Sequence, residues 1–306
     1  GHGMPCLCLK PMKIFLTGGA GFVGGFIVDE LLKRNHEITA LVHTHRKSEK
    51  FTGSKVSILQ GDVLQRDTLK MDGCDTVIHL VGIIREKKNA TFEKLHVDAT
   101  VNVIEAAREA GIKRFIHMSA LGTRENAHSR YHKTKYRAER FVVESGLTYT
   151  IFRPSVIFGQ GDKFLNMLKD LYRNPYFVPV IGSGDYKLQP IYAPDVAYLF
   201  AEALVEKESE NRIFEIGGPE AYTFIELLNE IGKHLCRNRA KIHIPIPVMA
   251  LAAGIMERVL PNPPITTDQL IMLQEDNVCD VSPVLETFKI TLTPLHEGMA
   301  EYMISG

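Results

Sequence analysis

A glycine-rich segment near the start of the chain, Gly18-Gly19-Ala20-Gly21-Phe22-Val23-Gly24, follows directly on the short apolar run Lys13–Thr17. Gly18 permits a tight turn, Gly21 lets the backbone approach a pyrophosphate at a helix N-terminus, and Gly24 allows that helix to pack closely on the strand. A glycine motif alone is common, but this one lies between a predicted strand and a predicted helix, which is the context that such binding requires. The segment therefore predicts a dinucleotide-binding turn, and all seven residues are predicted cofactor contacts.

Short apolar runs alternate with helical stretches through the first half of the chain. Continuous apolar strands are typical of a parallel sheet covered on both faces. The pattern predicts an α/β fold with a Rossmann-type, doubly wound parallel sheet. The predicted strands are Lys13–Thr17, Glu37–His43, Val56–Gln60, Thr76–Val81, Phe115–Ser119, Thr148–Phe152 and Ile213–Ile216, and the helices between them are Phe22–Arg34, Phe92–Ala110, Tyr131–Ser145 and Pro194–Val205.

The alternation ends after about Gly159, where prolines become frequent. We predict a dinucleotide-binding domain at 12–159, with returning strands near 188–217 (Leu188–Tyr192 and Ile213–Ile216). Residues 160–187 and 218–306 are predicted to form a smaller substrate-binding lid over the carboxyl edge of the sheet, where open α/β sheets bind ligands. The predicted lid helices are Lys163–Arg173, Phe224–Leu235, Val248–Leu260, Thr267–Gln274 and Pro294–Met303.

The residues at the end of the second strand indicate which dinucleotide is bound. NAD-specific sites usually place Asp or Glu there, to bind the ribose 2′-hydroxyl. Here no acid occurs before Glu49, and the cationic residues His43, Arg46 and Lys47 follow the strand instead. This cluster favours the 2′-phosphate of NADP, with NAD as second choice; the alternative is a solvated basic loop.

Tyr131 and Lys135 are four residues apart, and therefore lie on one face of a predicted helix. A free tyrosine has a pKa of about 10 and is a poor base at neutral pH. A nearby lysine ammonium, together with a positive nicotinamide ring, would favour the phenolate. Tyr131 could then exchange a proton with a carbinol or carbonyl oxygen during hydride transfer. The alternative is an ordinary exposed pair.

With these motifs, the chain resembles the short-chain dehydrogenase/reductase superfamily in its NAD-dependent epimerase/dehydratase-like branch. Within that branch it is most similar to atypical members grouped with the nucleotide-binding accessory subunit of respiratory complex I. The superfamily likeness runs from Thr17 to Pro219 and rests on Thr17–Gly24, Gly61–Val63, Val77–Leu80, Phe115–Ala120, Tyr131–Lys135, Arg153–Gly159 and Asp195–Ala197. The closer likeness rests on His79–Ile83, His117–Gly122, Thr267–Leu270 and Asp276–Val278.

The resemblance implies a role for each matching position. Tyr131 is the expected acid/base, and Lys135 is expected to hold the nicotinamide ribose and tune Tyr131. The remaining implied cofactor contacts are Asp62 and Val63 at the adenine, Leu80, Val81 and Gly82 along the riboses, and Pro154, Ser155 and Val156 at the carboxamide. From the residues alone, the alternatives are that Asp62 is a turn residue after a strand and that Pro154 is simply the end of a strand.

One position departs from the family pattern. The family usually has Ser or Thr just after the strand that precedes the tyrosine, and this chain has Ala120 there. Ser119 is the first candidate to supply the missing hydroxyl, with Thr123 and Ser129 as alternatives. If none of them does, the site is weakened or inactive.

The amino-acid composition limits the kinds of partner that this chain can bind. Lys plus Arg and Asp plus Glu both number 36, so the net charge is zero and no nucleic-acid partner is expected. Five cysteines without a CxxC pair suggest a reducing compartment, here the cytoplasm. No metal site is expected, since His43-x-His45 has no third ligand nearby. The apolar run Ile244–Met256 is too short to span a bilayer; it is predicted to be a partly buried helix, with interfacial membrane contact as the alternative.

Two functions of different class remain open. One is an NAD(P)-dependent oxidoreductase or epimerase/dehydratase-like enzyme with a small-molecule substrate. The other is a nucleotide-binding structural or assembly protein with little or no turnover, which Ala120 favours. The chain is expected to be a monomer or a homodimer, the latter paired through the helices Phe92–Ala110 and Tyr131–Ser145. The lid carries no motif that names a substrate.

Overall fold

The structure is a computed structural model that describes residues 11–303, except for the side chains of residues 45 and 46. Within that range the chain forms one large sheet and three small two-stranded sheets. The strands are β1 (Lys13–Thr17), β2 (Glu37–Val42), β3 (Val56–Gln60), β4 (Thr76–His79), β5 (Arg114–Met118), β6 (Thr148–Pro154), β7 (Ile157–Phe158), β8 (Phe177–Ile181), β9 (Lys187–Leu188), β10 (Ile191–Tyr192), β11 (Arg212–Ile216), β12 (Tyr222–Thr223) and β13 (Ala240–Ile244).

The large sheet has seven strands in the order β11-β6-β5-β4-β1-β2-β3, and every neighbouring pair is parallel. The strand order reverses beside β1, where one half of the sheet runs to β3 and the other to β11. Ligands bind at such a switch point, outside the carboxyl ends of the strands. The glycine turn follows β1 and therefore lies there. The predicted doubly wound Rossmann-type fold is confirmed.

Helices cover both faces of the sheet, as the continuous apolar strands require. Ile27 and Phe200 are buried with Ile116 and Phe152 on one face, and Val103 and Val142 are buried on the other. The helices are α1 (Phe22–Lys33), α2 (His45–Ser48), α3 (Ala99–Glu109), α4 (Arg130–Glu144), α5 (Phe164–Leu171), α6 (Ala193–Glu202), α7 (Phe224–His234), α8 (Ile246–Val259), α9 (Thr267–Met272), α10 (Ser282–Phe288) and α11 (Leu295–Tyr302).

The helix predicted at Phe92–Ala110 begins differently from the prediction. Its first part, Glu93–Asp98, is a π-helical turn that continues into α3. Such turns occur mostly as single-turn insertions and often at functional sites. Here the turn carries His96, whose ring is buried against the helix α4.

The segment Leu188–Tyr192 does not return to the large sheet, contrary to the prediction. It forms β9 and β10, which pair with β12 and β7 in separate small sheets. Pro190 lies between them and has no N–H group to continue a ladder. Of the two predicted returning strands, only the second, observed as β11, joins the large sheet.

A third apolar cluster lies outside the sheet and is built by the C-terminal half of the chain. Leu168, Val180, Leu228 and Met299 are among its buried members. The strand β8, which pairs in parallel with β13, and the helices α5, α7 and α11 supply most of it. This region is the body of the predicted lid; its division from the sheet domain at residue 159 remains a prediction.

Candidate functional site

The glycine turn has the geometry that its sequence predicts. Gly18 has a φ of +77°, a conformation that favours glycine, and its carbonyl accepts the N–H of Gly21 at 2.9 Å. A Cβ on Gly24 would lie 2.3 Å from the carbonyl oxygen of Gly18. Close packing of α1 on the turn therefore excludes any side chain at position 24.

The start of α1 fits a pyrophosphate. Gly21 precedes the helix and is exposed, no side chain caps the helix, and its first turn contains no acid. The first N–H groups of a helix have no partner within it and attract an anion. A Cβ on Gly18 would lie 3.0 Å from the backbone of Leu80, so Leu80 runs alongside the turn. The residues present therefore suit a dinucleotide at this position.

Beyond the turn, His43 and Asp62 follow the ends of β2 and β3. Their side chains lie side by side, with 3.4 Å between Nδ1 of His43 and Oδ2 of Asp62. The other carboxylate oxygen of Asp62 accepts the N–H of Leu64 at 2.9 Å, which fixes it as a turn residue as well. Val63 is buried, and its carbonyl accepts the side-chain amide of Asn102.

The structure describes only part of the cationic cluster that follows β2. Lys47 is exposed in α2, and the predicted contact Arg46 has its side chain outside the described part of the structure. Lys50 adds a cation that the sequence analysis missed: its Nζ donates to the carbonyl of Ala20, within the glycine turn, at 2.7 Å. Thirty residues separate the two, and no motif joins them in the sequence.

Lys135 lies one turn after Tyr131 on α4, and its side chain is buried. Its Nζ donates to the carbonyl of Met118, at the end of β5, at 3.0 Å. A Cβ on Gly82 would lie 3.0 Å from the same Nζ, so glycine at position 82 leaves room for the ammonium. Burial lowers the pKa of Lys135 to about 8. The loop after β4 and the end of β5 therefore meet at this lysine.

Tyr131 is enclosed by three rings, those of Phe92, His96 and His132, whose centroids lie 5.2 to 5.7 Å from its own. Burial raises the pKa of Tyr131 to about 12. This direction is opposite to the one expected from Lys135, because in the protein alone the cost of burying a phenolate dominates. The group that the site presents is a protonated phenol.

Three buried histidines surround Lys135 and are held neutral, because burial lowers the pKa of each. His79 hydrogen-bonds with Thr17 and Thr100, and His96 with Thr134 and Ile83. The ring of His117 stacks on that of His79 and has no hydrogen-bond partner within residues 11–303. The sequence gave no signal for a role of His96.

The hydroxyl groups near Ala120 differ in whether they have a hydrogen-bond partner. Ser129 caps α4, accepting the N–H of His132 at 3.1 Å and lying 3.0 Å from its Nδ1. Ser119 and Thr123 are buried, and their hydroxyls have no partner in the described part of the chain. Ser119 and Thr123 are thus the two hydroxyls that remain available.

The residues at the end of β6 contact three other segments of the chain. Pro154 accepts the N–H of Leu121 at 2.8 Å, and Val156 accepts that of Ile191 at 2.9 Å. Ser155 donates through its hydroxyl to the side-chain oxygen of Asn277 at 2.6 Å. In the protein alone, Ser155 therefore binds the lid segment that follows α9.

A cavity of about 800 Å³ opens between α9 and the loop before α4. Arg124 and Glu275 form an ion pair across it at 2.7 Å. It is lined by Arg124, His128, Ile271, Gln274, Glu275 and Asp276. His128 lies two residues before α4, the helix that carries Tyr131, but Tyr131 itself does not line the cavity.

The described residues contain neither a metal-binding cluster nor a membrane-spanning helix. No group of three or more His, Cys, Asp or Glu side chains in residues 11–303 is arranged to hold a metal ion. No helix in that range combines the length and apolar character needed to cross a membrane.

Comparison with known proteins places this site in a family. Residues 18–164 match a family described as NAD(P)H-binding. A curated relative, NADH dehydrogenase [ubiquinone] 1 alpha subcomplex subunit 9, mitochondrial, from Arabidopsis thaliana, is 30% identical over 273 residues, which cover 85% of this chain and 67% of the relative. A second relative, 4-hydroxy-2-methyl-3-oxo-4-farnesyl-3,4-dihydroquinoline-1-oxide ketoreductase from Stigmatella aurantiaca, is 30% identical over 60% of this chain and 62% of its own length.

A solved structure shares the fold. The NADPH-dependent quinone oxidoreductase from Escherichia coli, in complex with NADPH, superposes with a TM-score of 0.76 and 20% identity, covering 94% of this chain and 99% of that one. The chain therefore belongs to the NAD(P)-binding extended short-chain dehydrogenase/reductase family, in its epimerase-like group. The family resemblance predicted from the sequence is confirmed.

Proposed function

We propose that the protein is an NADPH-dependent reductase of a carbonyl compound, with Tyr131 as the proton donor. The observation that carries this proposal is a protonated phenol one helical turn from a buried lysine, whose ammonium lies against Met118, at the end of β5, and Gly82. A binding protein without turnover has no chemical need for that pair.

NADPH, when bound, supplies the hydride that reduces the carbonyl carbon. The phenol of Tyr131 delivers its proton to the carbonyl oxygen, so that the product is an alcohol and the tyrosine is left as phenolate. Lys135, one turn away, stabilises the phenolate by its charge. A pKa of about 12 keeps Tyr131 protonated at neutral pH, which suits proton donation and hence reduction rather than alcohol oxidation.

The proposed hydroxyl that binds the substrate oxygen is that of Ser119, with Thr123 as the alternative. Both are buried without a partner, and a buried unpaired hydroxyl is costly unless a ligand satisfies it. Ser129 is a weaker candidate because it already caps α4.

Preference for NADP is part of the proposal. It is supported by the absence of an acid after β2, by the exposed Lys47, and by Lys50 at the glycine turn. For the other predicted cofactor contacts, we propose the roles that the family resemblance implies.

We also propose that the protein is cytoplasmic, that it is a monomer or a homodimer, and that its substrate is a small molecule. The expected dimer helices bury Val97, Ile104 and Val142 within the chain, so these three side chains give the dimer no support.

Two observations favour a second function. Ala120 removes the usual hydroxyl, and the relative from Arabidopsis thaliana is by name a complex I subunit. A nucleotide-binding assembly protein would need the glycine turn but no turnover.

The test of the two functions is a screen with purified protein. NADPH oxidation is followed with a panel of ketones, quinones and nucleotide sugars, and melting is followed with and without NADPH. Turnover of any carbonyl that Tyr131→Phe abolishes supports the reductase. NADPH binding that raises the melting temperature, without turnover of the whole panel, supports the second function.

A further inference from the structure

The lid helix α8 exposes a continuous apolar stripe. Val248, Leu251, Ile255 and Val259 have 56%, 69%, 53% and 72% of their surface exposed, whereas Ala253 on the opposite side is buried. At 100° per residue, these four side chains fall within an arc roughly 80° wide. Contiguous exposed apolar surface of this kind marks an interaction site rather than ordinary surface.

The segment leading into α8 is cationic. From Ile231 to Met256 the chain has no Asp or Glu, while it has Lys233, Arg237, Arg239 and Lys241. Because the net charge of the whole chain is zero, the remainder carries a negative balance. The positive charge is therefore concentrated in the segment that precedes the apolar stripe along the chain.

Most of these cations are not neutralised by the protein. Within residues 11–303, Arg237, Arg239 and Lys241 form no ion pair with an acidic side chain; the two arginines donate to the backbone carbonyls of Tyr172 and Asn174. Lys233, by contrast, pairs with Glu230. The charges of these three side chains are thus not neutralised by an acid in the described part of the chain, although carbonyl contacts hold the two arginines in place.

The two ends of α8 complete the surface. Lys241 lies in β13, which joins α8 through the single residue Pro245. At the other end Arg258 is exposed, while Glu257 accepts the N–H of Thr267 at 3.1 Å and so serves the neighbouring helix α9. Cations therefore flank the stripe at both ends.

We propose that α8 docks this protein on the surface of an anionic lipid bilayer. The helix would lie in the plane of the interface, with its apolar stripe at the boundary of the acyl chains and the flanking Lys and Arg among the headgroups. Its 14 residues are too few to cross a bilayer, which needs about 20. The helix can therefore lie on a membrane but not span it.

A second copy of the chain is a poorer occupant. A two-fold interface centred on α8 would place the same patch of each subunit against the other. Antiparallel pairing of α8 with its copy would bring Lys241, which precedes the helix, towards Arg258 at the end of the other helix, and like charges across an interface oppose association. An anionic lipid surface complements both features of the patch.

The experiment is flotation of the full chain with unilamellar vesicles, one set of phosphatidylcholine alone and one with about a third phosphatidylglycerol. We expect binding to the anionic vesicles that weakens as salt is added, and little binding to the neutral ones. The double variant Leu251→Ser/Ile255→Ser should bind about tenfold less, and Lys241→Gln about fivefold less. Unchanged melting temperature and NADPH binding show that each variant is folded.

The matched control is Ile58→Ser, which removes an apolar side chain that is 46% exposed on β3. It should bind vesicles as the unaltered protein does. The proposal is overturned if the anionic vesicles do not bind the protein, or if the double variant binds as well as the control. It is also overturned if light scattering shows a dimer that the double variant dissociates, because the stripe then serves a second copy.

Discussion

The carboxylate of Asp268, in the lid, accepts the backbone N–H of Tyr131, with 3.1 Å between Oδ2 and the nitrogen. Its other oxygen accepts the N–H of Arg130 at 2.8 Å. These two N–H groups open the helix α4, and a negative charge is favourable at a helix N-terminus. A lid residue thus fixes the start of the helix that carries the proposed proton donor.

Asp268→Ala should therefore lower both stability and catalytic efficiency. Loss of a capping interaction of this kind costs about 1 kcal/mol of unfolding free energy, measurable by urea denaturation. Catalytic efficiency should fall, because the start of the helix that carries Tyr131 is then less firmly held. Asp29→Ala, at an exposed acid of α1, is the control. Equal stabilities of the two variants would show that the cap is dispensable.

Tyr131→Phe should leave the fold and cofactor binding nearly intact. It removes the proton donor, so turnover of a carbonyl substrate should fall by a factor of roughly 10² to 10⁴. Steady-state kinetics give the loss, and titration calorimetry with NADPH checks binding. Tyr136→Phe, on the same helix, is the matched control. Full activity of Tyr131→Phe would remove Tyr131 from the mechanism.

Ser119→Ala and Thr123→Val separate the two available hydroxyls. If Ser119 binds the substrate oxygen, its variant loses turnover while Thr123→Val stays active, because only one hydroxyl then loses a bond in the transition state. The comparison needs kcat for both variants with one substrate. A large loss in Thr123→Val alone would transfer the role to Thr123, and no loss in either would mean that the site works without a serine or threonine donor at these positions.

Lys135 should make stability depend on pH. Burial lowers its pKa from 10.5 to about 8, so between these values the unfolded chain holds a proton that the native protein has released. The unfolding free energy of the protein without cofactor therefore rises with pH across this window, by up to roughly 3 kcal/mol in total. Tyr131 acts in the opposite direction above pH 10, since its raised pKa makes stability fall there.

Lys135→Met should abolish the rise, and Lys133→Met, at an exposed position on the same helix, should retain it. Denaturant titrations between pH 8 and about pH 10 measure both variants. Lys135→Met should also weaken NADPH binding, because the ammonium is proposed to reach the ribose. An identical pH slope in the two variants would contradict the assignment of the low pKa to Lys135.

NADPH should bind more tightly than NADH in calorimetric titrations. Lys47→Ala and Lys50→Ala should each weaken NADPH binding by roughly tenfold, as expected for one charged hydrogen bond, and should change NADH binding little. Lys55→Ala, at an exposed lysine, serves as control. Tighter binding of NADH by the unaltered protein would refute the preference.

The sequence alone determined the features that depend on neighbours in the chain. The glycine turn could be predicted because it joins a strand to a helix within about ten residues, and the pair Tyr131 and Lys135 because a helix places every fourth residue on one face. The doubly wound sheet followed from repeated apolar strands and helices. The family resemblance added position-by-position roles that spacing could not supply.

Only the tertiary structure decided the contacts between distant segments. Lys50 reaches the glycine turn across thirty residues, and Asp268 caps the helix of Tyr131 from 137 residues away. The pKa of Tyr131 depends on how deeply packing buries it, which reverses the direction predicted from charge alone. The local sequence pattern determines which face of its own helix or strand a side chain occupies. Burial and contacts between distant residues arise only when the helices and strands pack together.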